Sequence, residues 1–194
     1  MAQKTAKEKI TELLRTTNRA GMEELLEWMQ INGFYNAPCS SKYHLAKPGG
    51  LAEHSLNVFH NALAIVDAWQ IRENTILSET SINSIVIVSL LHDIGKCGQF
   101  GKPNYVITND TAMKFAQSPA TYATNAELLY VPHEIRSISI LSQFIELTEE
   151  EQFAILYHNG LYGELKGFKG KETPLYMILH FSDMWAARVN ERED

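Results

Sequence analysis

Apolar positions recur at helical spacing along most of this chain, and that pattern gives the first account of its fold. In residues 4–19, Ile10, Leu13 and Leu14 stand among charges, and in 21–31 Met22, Leu25, Leu26 and Met29 follow at intervals of three and four. Both segments predict amphipathic helices. Residues 51–69 set Leu51, His54, Val58, Ala62 and Ile65 on a common face, so a histidine shares the inward side of that helix. The next helix runs through Ile82, Ile85, Val86, Val88 and Leu91, with Thr80 or Ser81 as its expected cap. It is apolar nearly all round, which predicts a central position.

Between these helices the pattern lapses twice. From Gly33 to Gly50 the chain turns to Pro38, Ser40, Ser41, Pro48 and paired glycines, an ordered connection more than a helix. From Cys97 to Val131 it is irregular again. There Tyr105–Thr108, the turn Asn109-Asp110 and Thr111–Phe115 read as a short β-hairpin. So long an insertion usually has a function, often as a lid or wall, the other reading being a solvent-exposed excursion. Helical periodicity resumes at 133–146 and 149–158, where Thr148 and Glu151 make a capping box. The last helix starts at Thr173-Pro174 and runs to about Asn190. The expectation is a single all-α domain over 1–194, with N-terminal helices in 1–32 and a small β-hairpin inserted in 97–131.

Composition changes this picture little. A chain of 194 residues is long enough to bury a core, and a net charge of −6 argues against a general nucleic-acid surface while leaving room for a small anionic substrate. Cys39 and Cys97 form no CxxC motif, and no apolar run is long enough to cross a bilayer, so a reduced cytoplasm and no membrane are expected.

The chemistry gathers around Leu90-Leu91-His92-Asp93-Ile94-Gly95-Lys96, where the most apolar helix ends in an imidazole, a carboxylate, a glycine and a lysine. Adjacent helical residues point ~100° apart, so His92 and Asp93 reach one point only from a helix end facing a cavity. Partners stand elsewhere in His54, His133, His158 and Asp183. A lone histidine near an apolar face is more often a hydrogen-bonded core residue than a ligand. Six such residues in the order H…HD…H…H…D, the order of a known family, reverse those odds. A nitrogen and oxygen set without thiolate favours one or two divalent transition-metal ions, Mn, Fe, Co, Ni or Zn, over Ca.

That order resembles the HD superfamily of metal-dependent phosphohydrolases. The resemblance extends over Pro38-Cys39-Ser40-Ser41-Lys42-Tyr43-His44, Gly49-Gly50-Leu51-Ala52-Glu53-His54-Ser55-Leu56-Asn57-Val58, Pro132-His133, Tyr157-His158 and Leu179-His180-Phe181-Ser182-Asp183. It implies an HD-domain helical bundle in which His54, His92, Asp93 and Asp183 bind one metal. His133 and His158 would bind a second, with Asp93 bridging both. The implied activity is cleavage of a phosphomonoester or phosphodiester, nucleotide-like in character, by metal-activated hydroxide. Asp93 and Lys96 are the catalytic candidates. Lys96, Arg136, Tyr43 and His44 are the candidates for holding a small phosphorylated substrate. His180, three residues before Asp183, reads equally as a partner to a ligand or as a core histidine. Two rivals remain open. Di-iron oxygenases of the myo-inositol oxygenase kind resemble the same pattern and would act on a small polar or phosphonate substrate. A nucleotide-sensing module without turnover is the other, although six intact ligands argue against a retired site.

Overall fold

The computed structural model describes residues 3–68, 79–108, 121–160 and 170–192. Seven α-helices carry most of the regular structure among them. Helix α1 (Ala6–Thr16) opens on a reciprocal cap between Thr5 and Glu8 and buries Ile10 and Leu14. Helix α2 (Met22–Ile31) buries Met22, Leu25, Leu26 and Met29, the positions its spacing selects. Helix α3 (Gly50–Ala68) carries Leu51, His54, Val58 and Ala62 inward.

Helix α4 (Glu79–Leu91) is the centre of the molecule. Ile85, Val86, Ile87, Val88, Leu90 and Leu91 are all buried, and at ~2 kcal/mol for each such side chain this helix has no stable place at the surface. It packs on α1, on α3, on α6 (Glu149–Tyr157) and on α7 (Pro174–Trp185). The described part of the helix, from Glu79 on, already includes Thr80 and Ser81, and the residues before it lie outside the described ones. After α4 the chain forms a tight 3-10 turn, Ile94–Cys97, against which α5 (His133–Leu141) rests. One hydrophobic cluster runs from Ile10 in α1 to Ala186 beyond α7.

The local start signals of the later helices hold. Thr148 and Glu151 form the capping box of α6, and Thr173 caps α7 with Pro174 in its first turn. Beyond Trp185 the helix widens into a π turn, Ala186–Asn190.

Two small antiparallel ladders interrupt the helices. Strands β1 (Gly98–Gln99) and β2 (Lys102–Pro103) pair around Phe100 and Gly101. Strand β3 (Tyr105–Ile107) stands where the sequence predicts a strand, but the partner it shows is β4 (Tyr122–Thr124), with Val106 opposite Ala123. The anticipated turn and return strand, residues 109–115, lie outside the described residues. Tyr122 also donates its amide to Ser41 O at 3.1 Å, which ties the insertion to the loop before α3. No helix among the described residues is long and apolar enough to cross a membrane.

Candidate metal centre

The end of α4 and the helices around it deliver polar side chains to a common point. His54 comes from the buried face of α3, and His92 and Asp93 follow the last turn of α4. His133 is the first residue of α5, His158 follows α6, and Asp183 lies on α7. The close approach of α5 depends on Gly95. A Cβ there would stand 2.4 Å from His133 O and 2.9 Å from Ser137 N, whereas the bare glycine lets its amide donate to Ser137 Oγ at 2.9 Å.

Asp93 lies at the middle, 1% exposed, and its two oxygens face different groups. Oδ2 stands 3.6 Å from His54 Nε2 and 3.5 Å from His92 Nε2. Asp183 Oδ1 joins that side, 3.1 Å from His54 Nε2 and 3.8 Å from His92 Nε2. Oδ1 of Asp93 faces the other way, 3.2 Å from His133 Nε2 and 3.7 Å from His158 Nε2. Donors ~2.1 Å from a shared transition-metal ion sit roughly 3.0–3.4 Å apart, so these separations are near those of a ligand shell.

The hydrogen-bond directions support the same fit. His92 Nδ1 faces Ser89 O at 3.2 Å and His158 Nδ1 faces Ile155 O at 2.7 Å. A carbonyl only accepts, so the proton of each ring lies on Nδ1 and a lone pair on Nε2. His54 Nδ1 lies 3.0 Å from both oxygens of Glu191. Meanwhile His54 Nε2, His92 Nε2 and Asp93 Oδ1 are buried without any hydrogen-bond partner. Buried polar atoms that converge without hydrogen-bond partners are costly unless a cation joins them. The donor set fits a divalent ion on that ground.

Charges follow from the crowding. Burial pushes the His158 pKa down to about 3, with His92 adding to the effect, so this ring is neutral and ready to coordinate. Burial opposes ionisation of Asp93 and Asp183. Lys96 and His92 outweigh it for Asp93, and the adjoining His54 ring outweighs it for Asp183, leaving both below the usual carboxylate range. For His54, burial is overcome by Cys39, Asp183 and Glu191, which raise its pKa well above the ordinary imidazole value. A proton on Nε2 is what a bound cation replaces there.

Lys96 Nζ pairs with Asp93 Oδ2 at 2.6 Å and lines a cleft of about 740 Å³ that opens over His158 and Asp183. Tyr43 and His44 line the same cleft, as do Lys42, Arg188 and Arg192. Arg136 does not. It is buried, and its Nη2 donates to Leu129 O at 3.0 Å, so the guanidinium supports the segment before α5 and leaves the cleft to other cations. His180 takes the intermediate role, with Nδ1 2.6 Å from His158 O and its ring stacked on Tyr176. Cys39 was not expected at the centre. Burial raises its pKa, but His54 and Lys96 bring it down to about 6, and its Sγ lies 3.4 Å from His44 Nε2. Burial holds Cys97 near 12, as an inert thiol. Glu191 was also missed, having no motif around it.

No curated protein and no solved structure matches the chain. The HD domain family does match, over residues 51–186, a span that holds all six convergent side chains and leaves out the Pro38–His44 loop and Glu191. With its buried His/Asp cluster suited to a divalent metal, the chain belongs to the HD domain family, a superfamily of metal-dependent hydrolase type.

Proposed function

We propose that this protein is a metal-dependent phosphohydrolase that cleaves a small phosphomonoester or phosphodiester, nucleotide-like in character. The observation that carries this reading is the division of Asp93, one oxygen toward His54, His92 and Asp183 and the other toward His133 and His158. His54, His92, Asp93 and Asp183 would hold one cation, and Asp93, His133 and His158 a second. Divalent ions so held supply Lewis acidity and lower the pKa of water from ~16 toward ~7.

The residues of the chain supply the rest. Asp93 fixes the spacing between the two halves because its carboxyl group is locked among buried partners. Lys96 lines the cleft, where its ammonium can pair with a phosphoryl oxygen and offset charge that builds as the P–O bond breaks. Lys42, Arg188 and Arg192 line the walls with further positive charge, despite the net charge of −6. That contrast supports a small anionic substrate. Tyr43 and His44 edge the cleft on the opposite loop and are placed to orient its non-reacting part.

The test is metal analysis of the purified full chain, then phosphate release from a panel of nucleotides with Mn²⁺. Turnover that disappears in Asp93→Ala supports the proposal. Oxygen uptake by the iron-loaded protein, with no phosphate released, would replace it by oxygenase chemistry. Tight nucleotide binding without any turnover would make it a sensing module.

A further inference from the structure

Glu191 is 5% exposed and lies past the end of the matched residues, yet it touches the innermost histidine of the cluster. We infer that Glu191 is a positioning residue for the metal centre: its carboxylate, brought beside His54 by the π turn, fixes that ring with the proton on Nδ1 and Nε2 turned toward Asp93 and Asp183. This rests on the reading of His54 as a metal ligand.

The π turn supplies the placement. Successive residues of an α-helix turn ~100°, so an unbroken helix would put Glu191 ~80° away from the direction of Asp183. The amide of Glu191 instead donates to Ala186 O at 3.0 Å, which takes up one extra residue. Glu191 then falls within ~20° of the Asp183 face. Asp183-Met184, Ala187-Arg188 and Glu191-Arg192 accordingly line one cleft.

Helix α3, which carries His54, grips the same segment. Asn57 Nδ2 donates to Glu191 Oε1 at 3.0 Å, and Asn61 Nδ2 donates to Ser182 O at 3.1 Å and to Asn190 Oδ1 at 2.9 Å. The hydrogen-bond partners of the Glu191 carboxylate, His54 and Asn57, are therefore N–H groups, and His44 Nε2 stands 3.9 Å from Oε2. A carboxylate accepts from both with either oxygen. An amide in its place accepts with one oxygen only and turns its own NH₂ against a donor. A charged acceptor behind a ligating imidazole also raises the basicity of the ring.

The test uses zinc and the full chain. Long-range ¹⁵N–¹H spectra of the zinc-loaded wild type are expected to show His54 protonated at Nδ1, and a proton at Nε2 would overturn the inference even if no variant folds. Glu191→Gln is expected to weaken zinc binding ~10–100-fold. Asn61→Ala, which loosens the same tail without touching His54, is expected to stay within about twofold of wild type. Equal losses in the two variants would show a merely structural role, and wild-type affinity in Glu191→Gln would remove the role altogether. His54→Ala separates the two layers of the argument. If it binds zinc as wild type does, His54 is no ligand and the proposed metal centre fails first. If it weakens binding and Glu191→Gln does not, the Glu191 assignment alone is lost.

Discussion

The two halves of the cluster are held by different means. His54, His92 and Asp183 come from α3, the end of α4 and α7, three elements that pack on one another through the core, and both imidazoles are fully buried. His133 opens a nine-residue helix after an irregular stretch, and 28% of its side chain is exposed. His158 is buried but stands just past the end of α6. The first half is ordered by the same packing that orders the fold. The second depends, for His133, on one short helix resting against the turn at Gly95. On the proposed reading, the first half binds its ion more tightly and the second exchanges its ion more readily.

The strongest blow to the comparison is removal of the residue both halves share. Asp93→Ala is expected to lose both ions and at least ~10³-fold in kcat, ~4 kcal/mol of transition-state stabilisation, measured by metal analysis and phosphate release. Separating the halves comes next. Calorimetric metal titration should show two phases in the wild type, with His133→Ala erasing the weaker one and His92→Ala the tighter one. Identical titrations for the two variants would dissolve the distinction.

Gly95→Ala tests the support of the second half without touching a ligand. The new Cβ would meet His133 O and Ser137 N, both backbone atoms, so α5 must move. The expected result is ~10-fold weaker binding in the second phase and a stability loss of ~1–3 kcal/mol, with the first phase little changed. Urea melts and the same titration give both numbers.

Proton linkage supplies the mildest contrast, in protein stripped of metal by a chelator. His158 has a folded pKa of about 3 against an unfolded value near ~6.5, so the unfolded chain binds more protons between them. Its contribution to stability is therefore present above pH ~6.5 and is lost toward pH 3, by at most ~1.4 kcal/mol per pH unit. His54 has the opposite sign. Its raised pKa adds stability that is full below ~6.5 and is lost as pH rises through the folded value. Thermal melts of wild type against His158→Gln and His54→Gln should diverge at opposite ends of the pH range.

Local signals made much of this legible in advance. The capping box at Thr148 and Glu151, the Thr173-Pro174 start and the apolar run of α4 are short-range features, and each appears in its place. The convergence of six side chains followed from their order. What escaped was long-range or out of phase. His54 and Glu191 are 137 positions apart, and the π turn shifts the helical register that would otherwise relate Glu191 to Asp183. Helical spacing put Arg136 one turn from His133 but carried no information on the Leu129 carbonyl that captures its guanidinium. The partner that β3 shows, β4, lies beyond the nearest turn signal, so proximity along the chain did not announce that pairing.

Arg19, between α1 and α2, reaches α6 and grips Glu151 with both terminal nitrogens, at 2.7 and 3.1 Å, while Ser84 of α4 donates to the same carboxylate. That carboxylate is wholly enclosed. Stranding it costs ~3–5 kcal/mol, a large share of the ~5–15 kcal/mol that keeps a typical domain folded. A fragment trimmed to residues 51–186 would lose Arg19 at one end and Glu191 at the other. The stretch that similarity outlines is thus narrower than the cooperative unit, and expression boundaries for this protein belong outside both residues.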